Sequence, residues 1–439
     1  MKSFLIVFFL CLSLSSFSQN GTWYKGDLHS HSTHSDGTSS VYDVINNAEN
    51  KGFTFYVLTD HDNIYTPTAG VLPHWSDTAY HSNKMILMYG VEWTTDNGHA
   101  CIWNNAPFQY DSIFLANTLN NPSLASKIVE SQNGLFSINH SLNQALLWQY
   151  DYDFKFNCIE ILNGPISYLL SNNDNVITDV WEPLLLAGRR ITAVGGSDMH
   201  HLNDWMTMFY PNLGSPTTYV FSQQHNSDGI LDGIRKGHVC VSNSPSEPHL
   251  EFFADLSQND SFDFMMGDQI NDTNAIVKFK VNLIDAIGDY TFRVIKNGIQ
   301  LYSEAMPIST SAPSVVFSDI PTQRSYYRIE LLSNNKPVAW TNPIYFGYEQ
   351  LSPTVGVYHS SNIVQTDIFP NPTSNFVYIR NGTKEALNIN ILNIYGELVM
   401  FKSSNDEVIM LDLQMMDKGI YLLKIKNKKI DKTLKVIKQ

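Results

Sequence analysis

Two histidines separated by one residue, His29 and His31, open the part of the chain that could do chemistry. On an extended segment, side chains two positions apart point the same way, so both imidazoles can reach one ion. Asp36 follows in Ser35-Asp36-Gly37, where the glycine permits a turn that brings the carboxylate back. Asp198 and His200 repeat the alternate-residue geometry far along the chain, and His61, Glu92 and His140 stand between. One such pair alone is more often surface chemistry; eight such residues at successive strand ends read as one site. Imidazoles mixed with carboxylates suit borderline divalent ions, Zn, Mn or Fe, better than a thiolate cluster or an all-oxygen calcium site. A shared carboxylate, for which Glu92 is the choice, would hold two such ions close together. Water between them becomes a hydroxide nucleophile at neutral pH, while the ions polarise the bond attacked.

The elements that must position these residues follow from the patterning. Up to about residue 246, short apolar runs alternate with helix-like stretches, the grammar of an α/β domain. Residues 41–50 predict a helix: Val41, Val44, Ile45 and Ala48 share a face, Ser40 can cap the start and Gly52 can close the end. A second helix is expected over 179–187, stopped at Gly188. Strands are expected over 53–58, 85–89, 135–138, 158–162 and 191–194. Nearly every one runs into a ligand type: Asp60-His61-Asp62, Glu92, Asn139-His140 and Asp198-Met199-His200. In a parallel α/β barrel the C-terminal strand ends converge on one mouth, so residues this far apart can meet.

Beyond Pro248 the pattern turns to β alone, and residues 249–347 read as a small β-sandwich. Residues 290–295 and 299–302 flank Lys296-Asn297-Gly298, a hairpin signal. Strands are also expected over 326–331 and 343–346, a linker over 348–366, and short alternating strands such as 387–391 in the block from Asp367.

A chain of 439 residues predicts two or three domains. The N-terminus has the form of a secretory signal peptide over residues 1–18, with Lys2, an apolar run and cleavage near Ser18; the run is too short to span a bilayer. Its removal deletes one of 28 basic residues and none of 42 acidic ones, leaving a net charge of −15, which argues against a nucleic-acid partner. Cys101, Cys158 and Cys240 have no C-x-x-C spacing and read mainly as buried thiols; an exported protein leaves one disulfide open as the alternative, without a disulfide framework. A serine hydrolase centred on Ser197 is discounted, because Gly195-Gly196-Ser197-Asp198-Met199 lacks the glycine two residues after the serine.

Taken together, Asp27-Leu28-His29-Ser30-His31, Ser35-Asp36-Gly37, Thr59-Asp60-His61-Asp62, Gly90-Val91-Glu92, Asn139-His140 and Gly196-Ser197-Asp198-Met199-His200 resemble the motifs of the PHP (polymerase and histidinol phosphatase) family over residues 21–246. The resemblance implies a distorted (β/α)7 barrel and two or three divalent ions. It places His29, His31, Glu92 and Asp198 on one ion, Glu92 and His140 on a second with His99 of Gly98-His99-Ala100 added, and Asp36, His61 and His200 on a third. His34 and His201 are not family ligand positions and would line the pocket. Ser141 stands after His140 where the family pattern has proline.

Residues 216–220, 234–237 and 242–245, with the β region behind them, are similar to the carbaryl-hydrolase-like branch of these enzymes. The family at large hydrolyses phosphoesters, so a small-molecule phosphoester is the favoured substrate, with carboxyl-ester or carbamate hydrolysis as the alternative. Arg189, Arg190 and Arg235 are candidate phosphate holders, although surface or structural roles are commoner for single arginines. A non-catalytic surface binding protein is the third reading; it would be marked by broken motifs, and the principal ones are intact.

The last block holds Phe369-Pro370-Asn371-Pro372, Ile394-Tyr395-Gly396 and Gly419-Ile420-Tyr421-Leu422-Leu423-Lys424. Its final 19 residues carry seven Lys against one Asp. Over residues 367–439 it resembles the C-terminal sorting domain of the type IX secretion system, which implies a Bacteroidetes-type bacterium, export to the cell surface or beyond, and that machinery as partner.

Overall fold

The computed structural model describes residues 21–62, 73–108, 110–142, 146–164, 176–202, 212–272, 274–286, 288–308, 313–321, 324–348, 368–369, 373, 376–381, 385–393, 397–406, 408–428 and 431–438. The expected signal peptide, the linker over 348–366 (but for Tyr348), most of Phe369–Pro372 and the motif at 394–396 lie outside the described residues.

Helix α1 spans Val41–Asn50 as the pattern requires, with the Ser40 hydroxyl accepting from the Asp43 N–H and its apolar face buried. Helices α2 (Tyr110–Thr118) and α3 (Pro122–Ser131) follow; Asn121 caps α3 by accepting from the Leu124 N–H. The helix expected over 179–187 is broken in two. A wide turn at Val176–Trp181 leads into a short helix, Glu182–Leu186, where Pro183 sits in the first turn, the one place in a helix that tolerates its missing N–H.

The strands before residue 246 are β1 (Thr22–Gly26), β2 (Phe55–Tyr56), β3 (Ile86–Leu87), β4 (Tyr89–Thr95), β5 (Gly98–Asn104), β6 (Leu135–Ile138), β7 (Cys158–Asn163), β8 (Thr192–Gly196), β9 (Thr217–Ser222) and β10 (Val239–Ser242). One sheet has the order β4-β5-β6-β7-β8. It is mixed: β6, β7 and β8 are mutually parallel, whereas β4–β5 and β5–β6 are antiparallel. The expectation of a purely parallel succession fails at Asp96-Asn97-Gly98, a turn signal that folds β4 and β5 into a hairpin. Gly98 has φ +135, and a Cβ there would meet the Trp148 ring at 2.7 Å, so the turn needs glycine. Glu92 consequently lies within a strand rather than at its end.

The later strands are β11 (His249–Asp255), β12 (Phe264–Met265), β13 (Gln269–Ile270), β14 (Val277–Ile284), β15 (Gly288–Lys296), β16 (Ile299–Ile308), β17 (Ser314–Asp319), β18 (Ser325–Ser333), β19 (Lys336–Thr341) and β20 (Ile344–Phe346). β15 and β16 form the expected hairpin, with Asn297 and Gly298 both at positive φ. The four-stranded sheet β12-β11-β14-β17 packs its apolar residues with those of the larger sheet in one core that includes Phe252, Phe279, Val294 and Ile329.

Strands from before and after residue 246 share that larger sheet, ordered β1-β9-β10-β19-β18-β15-β16. This pairing bears on the site through β8. The Asn342 carboxamide accepts from the Ala193 N–H (2.7 Å) and donates to the carbonyls of Ala193 and Val239 (2.9 Å each). The β region therefore braces the strand that leads to Asp198. Residues up to 350 form one compact unit and residues 351–439 another.

Within the second unit, β21 (Ile368–Phe369), β22 (Phe376–Arg380), β23 (Leu387–Leu392), β24 (Leu398–Ser404), β25 (Val408–Asp412), β26 (Gly419–Lys426) and β27 (Asp431–Lys438) make two sheets, β21-β22-β25 and β24-β23-β26-β27. Alternating residues such as Leu387, Ile389, Ile391, Leu423 and Ile425 fill its core.

Candidate metal centre

Backbone hydrogen bonds lace four distant segments side by side. The Asp198 N–H donates to the His29 carbonyl (2.8 Å), the His31 N–H to Met199 (2.9 Å), the Thr59 N–H to Ser30 (2.9 Å) and the Glu92 N–H to Asp60 (3.2 Å). Each short extended run thus presents alternate side chains to one place, which is how the two alternate-residue pairs come to face each other. Asp27, fully buried, fastens the ends: its carboxylate accepts from the N–H groups of His29, Ser197 and Gly214. Asp198 and His140 both take positive φ, +52 and +25, a strained backbone of the kind that concentrates at functional sites.

All nine residues expected from the sequence meet here. Glu92, 1% exposed, is the hub. Its oxygens lie 3.2 Å from His29 Nε2, 3.5 Å from His31 Nε2, 2.9 Å from His61 Nδ1, 3.3 Å from His99 Nδ1 and 3.3 Å from His140 Nε2. Asp198 Oδ1 lies 3.3 Å from His29 Nε2, 3.1 Å from His31 Nε2 and 3.5 Å from His200 Nδ1. Asp36 Oδ1 lies 3.5 Å from His61 Nε2 and 3.2 Å from His200 Nε2.

Four overlapping groups have ligand atoms within 4.8 Å of one another: His31, Asp36, His61 and His200; His29, Glu92 and His140; His29, His31 and Asp198; His61, Glu92 and His99. His99 thus groups with His61 and Glu92, and His140 with His29 and Glu92. Of the two flanking histidines, His34 lies 3.5 Å from Asp77, and His201 lies 3.4 Å from the Thr38 hydroxyl.

These residues fit divalent cations on a structural criterion. His29 Nε2, His31 Nε2 and Glu92 Oε2 are buried with no hydrogen-bond partner, although opposite polar atoms stand 2.9–3.5 Å away. Buried polar atoms normally find partners. Atoms that converge without bonding each other are arranged for something between them.

The electrostatics agree. Burial works to raise the Glu92 and Asp198 carboxyls, but the imidazoles around them, His29 foremost, outweigh it and hold both well below the usual carboxylate range. Burial and the neighbouring His200 and His61 push His31 down to about 4. Against their own burial, His61 is raised to about 11 by Glu92 and Asp36, and His200 to about 9 by Asp36 and Asp198.

Sequence reasoning missed Glu160. It is 3% exposed; Oε1 lies 3.0 Å from His29 Nδ1, and Oε2 accepts from the His140 N–H (3.0 Å) and from Asn163 Nδ2 (2.9 Å). A carboxylate hydrogen-bonded to the far nitrogen of a ligand histidine fixes its ring and tautomer. The available signal was an acid inside the apolar run Cys158-Ile159-Glu160-Ile161-Leu162. Thr94 does the same for His61 (hydroxyl to Nδ1, 2.6 Å), and Asn139 donates to Glu92 (2.9 Å).

The three candidate arginines serve structure instead. Arg189 donates to the carbonyls of Tyr152 and Phe154, Arg190 to Gly267 and Gln269, and Arg235 to Asn133. The cysteines Cys101, Cys158 and Cys240 are free and buried. Among the described residues no helix is long and apolar enough to cross a membrane.

Comparison with known proteins matches the PHP domain to residues 27–182 and the secretion system C-terminal sorting domain to residues 367–439. No curated protein matches. Among solved structures, the chain is similar to a two-domain protein from Bacteroides vulgatus described as containing a predicted PHP-like metal-dependent phosphoesterase, at 14% identity over 74% of this chain and 96% of that one, TM-score 0.39. It is also similar to an inferred metal-dependent phosphoesterase from Bifidobacterium adolescentis, at 14% identity over 43% of this chain and 90% of that one, TM-score 0.28. Residues 27–182 of this chain are a PHP domain, and residues 367–439 are a type IX sorting domain that marks it for export to the cell surface or beyond.

Proposed function

We infer that the chain is an exported metal-dependent hydrolase of small-molecule esters, with phosphoesters as the favoured substrates. The observation that carries this reading is the Glu92 carboxylate ringed by five imidazoles, with His29 Nε2, His31 Nε2 and Glu92 Oε2 buried and without hydrogen bonds. His29, His31, Asp36, His61, Glu92, His99, His140, Asp198 and His200 would hold two or three divalent ions of the Zn, Mn or Fe type, with Glu92 shared. Such ions, when bound, supply a nucleophile from water at neutral pH and polarise the ester. The protein's own part is positional. Glu160 and Thr94 orient His29 and His61, Asp27 ties the His29 and Asp198 segments together, and burial excludes bulk water from Glu92.

On this reading the first five-stranded sheet with β1–β3 and the helices forms a distorted (β/α)7 barrel over residues 19–246. A β-sandwich over 247–347, a linker over 348–366 and the sorting domain over 367–439 follow, and residues 1–18 are removed as a signal peptide. The residues resembling the carbaryl-hydrolase branch serve the scaffold: the Thr218 hydroxyl, for instance, bridges the N–H and carbonyl of Gly195. They leave the carboxyl-ester or carbamate alternative to experiment. The mature chain, loaded with Zn, Mn or Fe, is expected to retain at least two ions per chain and to hydrolyse aryl phosphates faster than aryl esters or carbamates, with Asp198→Ala inactive. Fewer than two ions, or equal activity in the variant, overturns the reading; preference for carbamates changes only the bond assigned.

A further inference from the structure

A cavity of about 430 Å³ borders the candidate metal centre, and its lining includes Thr94 and His99. Both touch the centre: the Thr94 hydroxyl bonds His61, and His99 lies 3.3 Å from Glu92. An ester held at Glu92 therefore has this space beside it for the group it carries. The volume is near the lower end of the roughly 300–1,000 Å³ common for ligand pockets, which suits a single ring.

The wall is polar without being cationic. Asp96, Asn117, Thr118 and Asn120 contribute to it, and among the described residues it contains no Lys or Arg. The two carboxamides are held before any ligand arrives: Asn117 donates to the Asp62 carboxylate (2.8 Å), and Asn120 accepts from the Tyr150 hydroxyl (3.1 Å). Leu146 adds an apolar surface that is 39% exposed. An anionic group entering here would lose hydration, find no Lys or Arg among the described residues of the wall and face Asp96. Vicinal hydroxyls would find carboxamide, hydroxyl and carboxylate partners, with Leu146 against the C–H face.

We propose that this cavity is the subsite for the non-reacting part of the substrate and that it takes a neutral, hydroxyl-bearing group of single-ring size, a sugar or cyclic polyol, in preference to an anionic one. The proposal rests on the hydrolase reading above, and the test separates the two. An aryl phosphate assayed with the ion-loaded full chain addresses that reading alone. Glucose 6-phosphate and inositol 1-phosphate, compared with 3-phosphoglycerate, address the subsite and distinguish sugar from polyol. Ligand-observed NMR with methyl glucoside and inositol reads binding without turnover.

The hydroxylated carriers are expected to exceed 3-phosphoglycerate by about tenfold in kcat/KM. Thr118→Lys, at the C-terminal end of α2 where a cation is tolerated, should shift that ratio toward the anionic carrier by about fivefold, the effect of roughly 1 kcal/mol, and weaken the NMR signal of the neutral ligands. An aryl phosphate cleaved with no preference for hydroxylated carriers, or a ratio unmoved by Thr118→Lys, overturns the subsite and leaves the hydrolase reading standing. If the aryl phosphate is not cleaved, and aryl esters and carbamates are not cleaved either, the hydrolase reading fails; without phosphate cleavage the NMR arm decides the subsite: binding weakened by Thr118→Lys supports it, and no binding overturns it.

Discussion

Two clusters of buried charge lie in the first compact unit, and they are built on opposite principles. Around Arg328, 2% exposed, one outer guanidinium nitrogen bonds Glu330 (2.7 Å) and the other Glu182, while Arg293 Nη2 reaches the second Glu330 oxygen (2.5 Å). Cations and anions alternate there, and burial only strengthens the pairing; the network joins the Glu182 helix to β15 and β18. Around Glu92, three carboxylates and six imidazoles crowd together, and the ligand atoms of His29, His31 and Glu92 point past one another. The first cluster pairs each charge with its opposite, although the inner Nε atoms of Arg293 and Arg328 stay unbonded. In the second, ligand atoms from both signs converge without bonding one another, as a cation site requires, and the contrast shows that this convergence, rather than buried charge or a single unbonded atom, marks the site.

The sharpest way to break this comparison is to remove one acid from each cluster. Asp198→Ala should lower kcat/KM by about 10³-fold or more, equivalent to the several kcal/mol that metal-ion polarisation contributes, and reduce the ions retained on elemental analysis. Glu182→Ala should leave ion content unchanged but destabilise the fold by about 3–5 kcal/mol in denaturant titration, because it leaves the buried Arg328 with Glu330 alone, a carboxylate that Arg293 shares. Should Asp198→Ala prove the more damaging to stability, and Glu182→Ala the more damaging to ion content, the assignment of the two clusters would be reversed.

How much of this was legible in the sequence depends on how local each cause is. The His29/His31 and Asp198/His200 pairs could be read because alternation along an extended backbone is a property of three residues. Helix α1 could be read because its face and cap are contained in eleven residues, from Ser40 to Asn50. Glu160 could not be assigned, since its partner His29 lies 131 residues away and a strand interior gives no reason for an acid except that partner. The β4–β5 hairpin was missed although Asp96-Asn97-Gly98 announces it, because the apolar run before Glu92 looked like a strand that ended there. The joint sheet was invisible for a further reason: β10 and β19 were not among the expected strands, and local periodicity does not specify which distant strand completes a sheet.

A smaller effect is expected from the residue that touches the centre only from behind. Glu160→Gln keeps the shape and can still accept at His29 Nδ1, but it loses the charge that favours the ring as a ligand. Loss of such a partner costs about 10–100-fold in metal affinity or activity, measurable by competition with a chelator. Replacing Arg328 by Met together with Glu182 by Leu, the corresponding change in the other cluster, should leave both quantities unaltered.

The mildest test is proton release, which follows from the direction of the imidazole shifts. His61 and His200 are raised to about 11 and about 9, so in the ion-free site both carry protons at pH 7, whereas His31, at about 4, is already neutral. An imidazole must give up that proton to bind an ion, so ions and protons compete. Ion affinity should therefore fall as the pH is lowered from 9 to 6, by up to about tenfold per unit for each proton displaced. Calorimetry in buffers of different ionisation enthalpy should register protons released on ion binding at pH 7. Asp36→Asn, which removes a charge that helps raise both His61 and His200, should reduce the number released; an unchanged count would mean that Asp36 does not hold those protons in place.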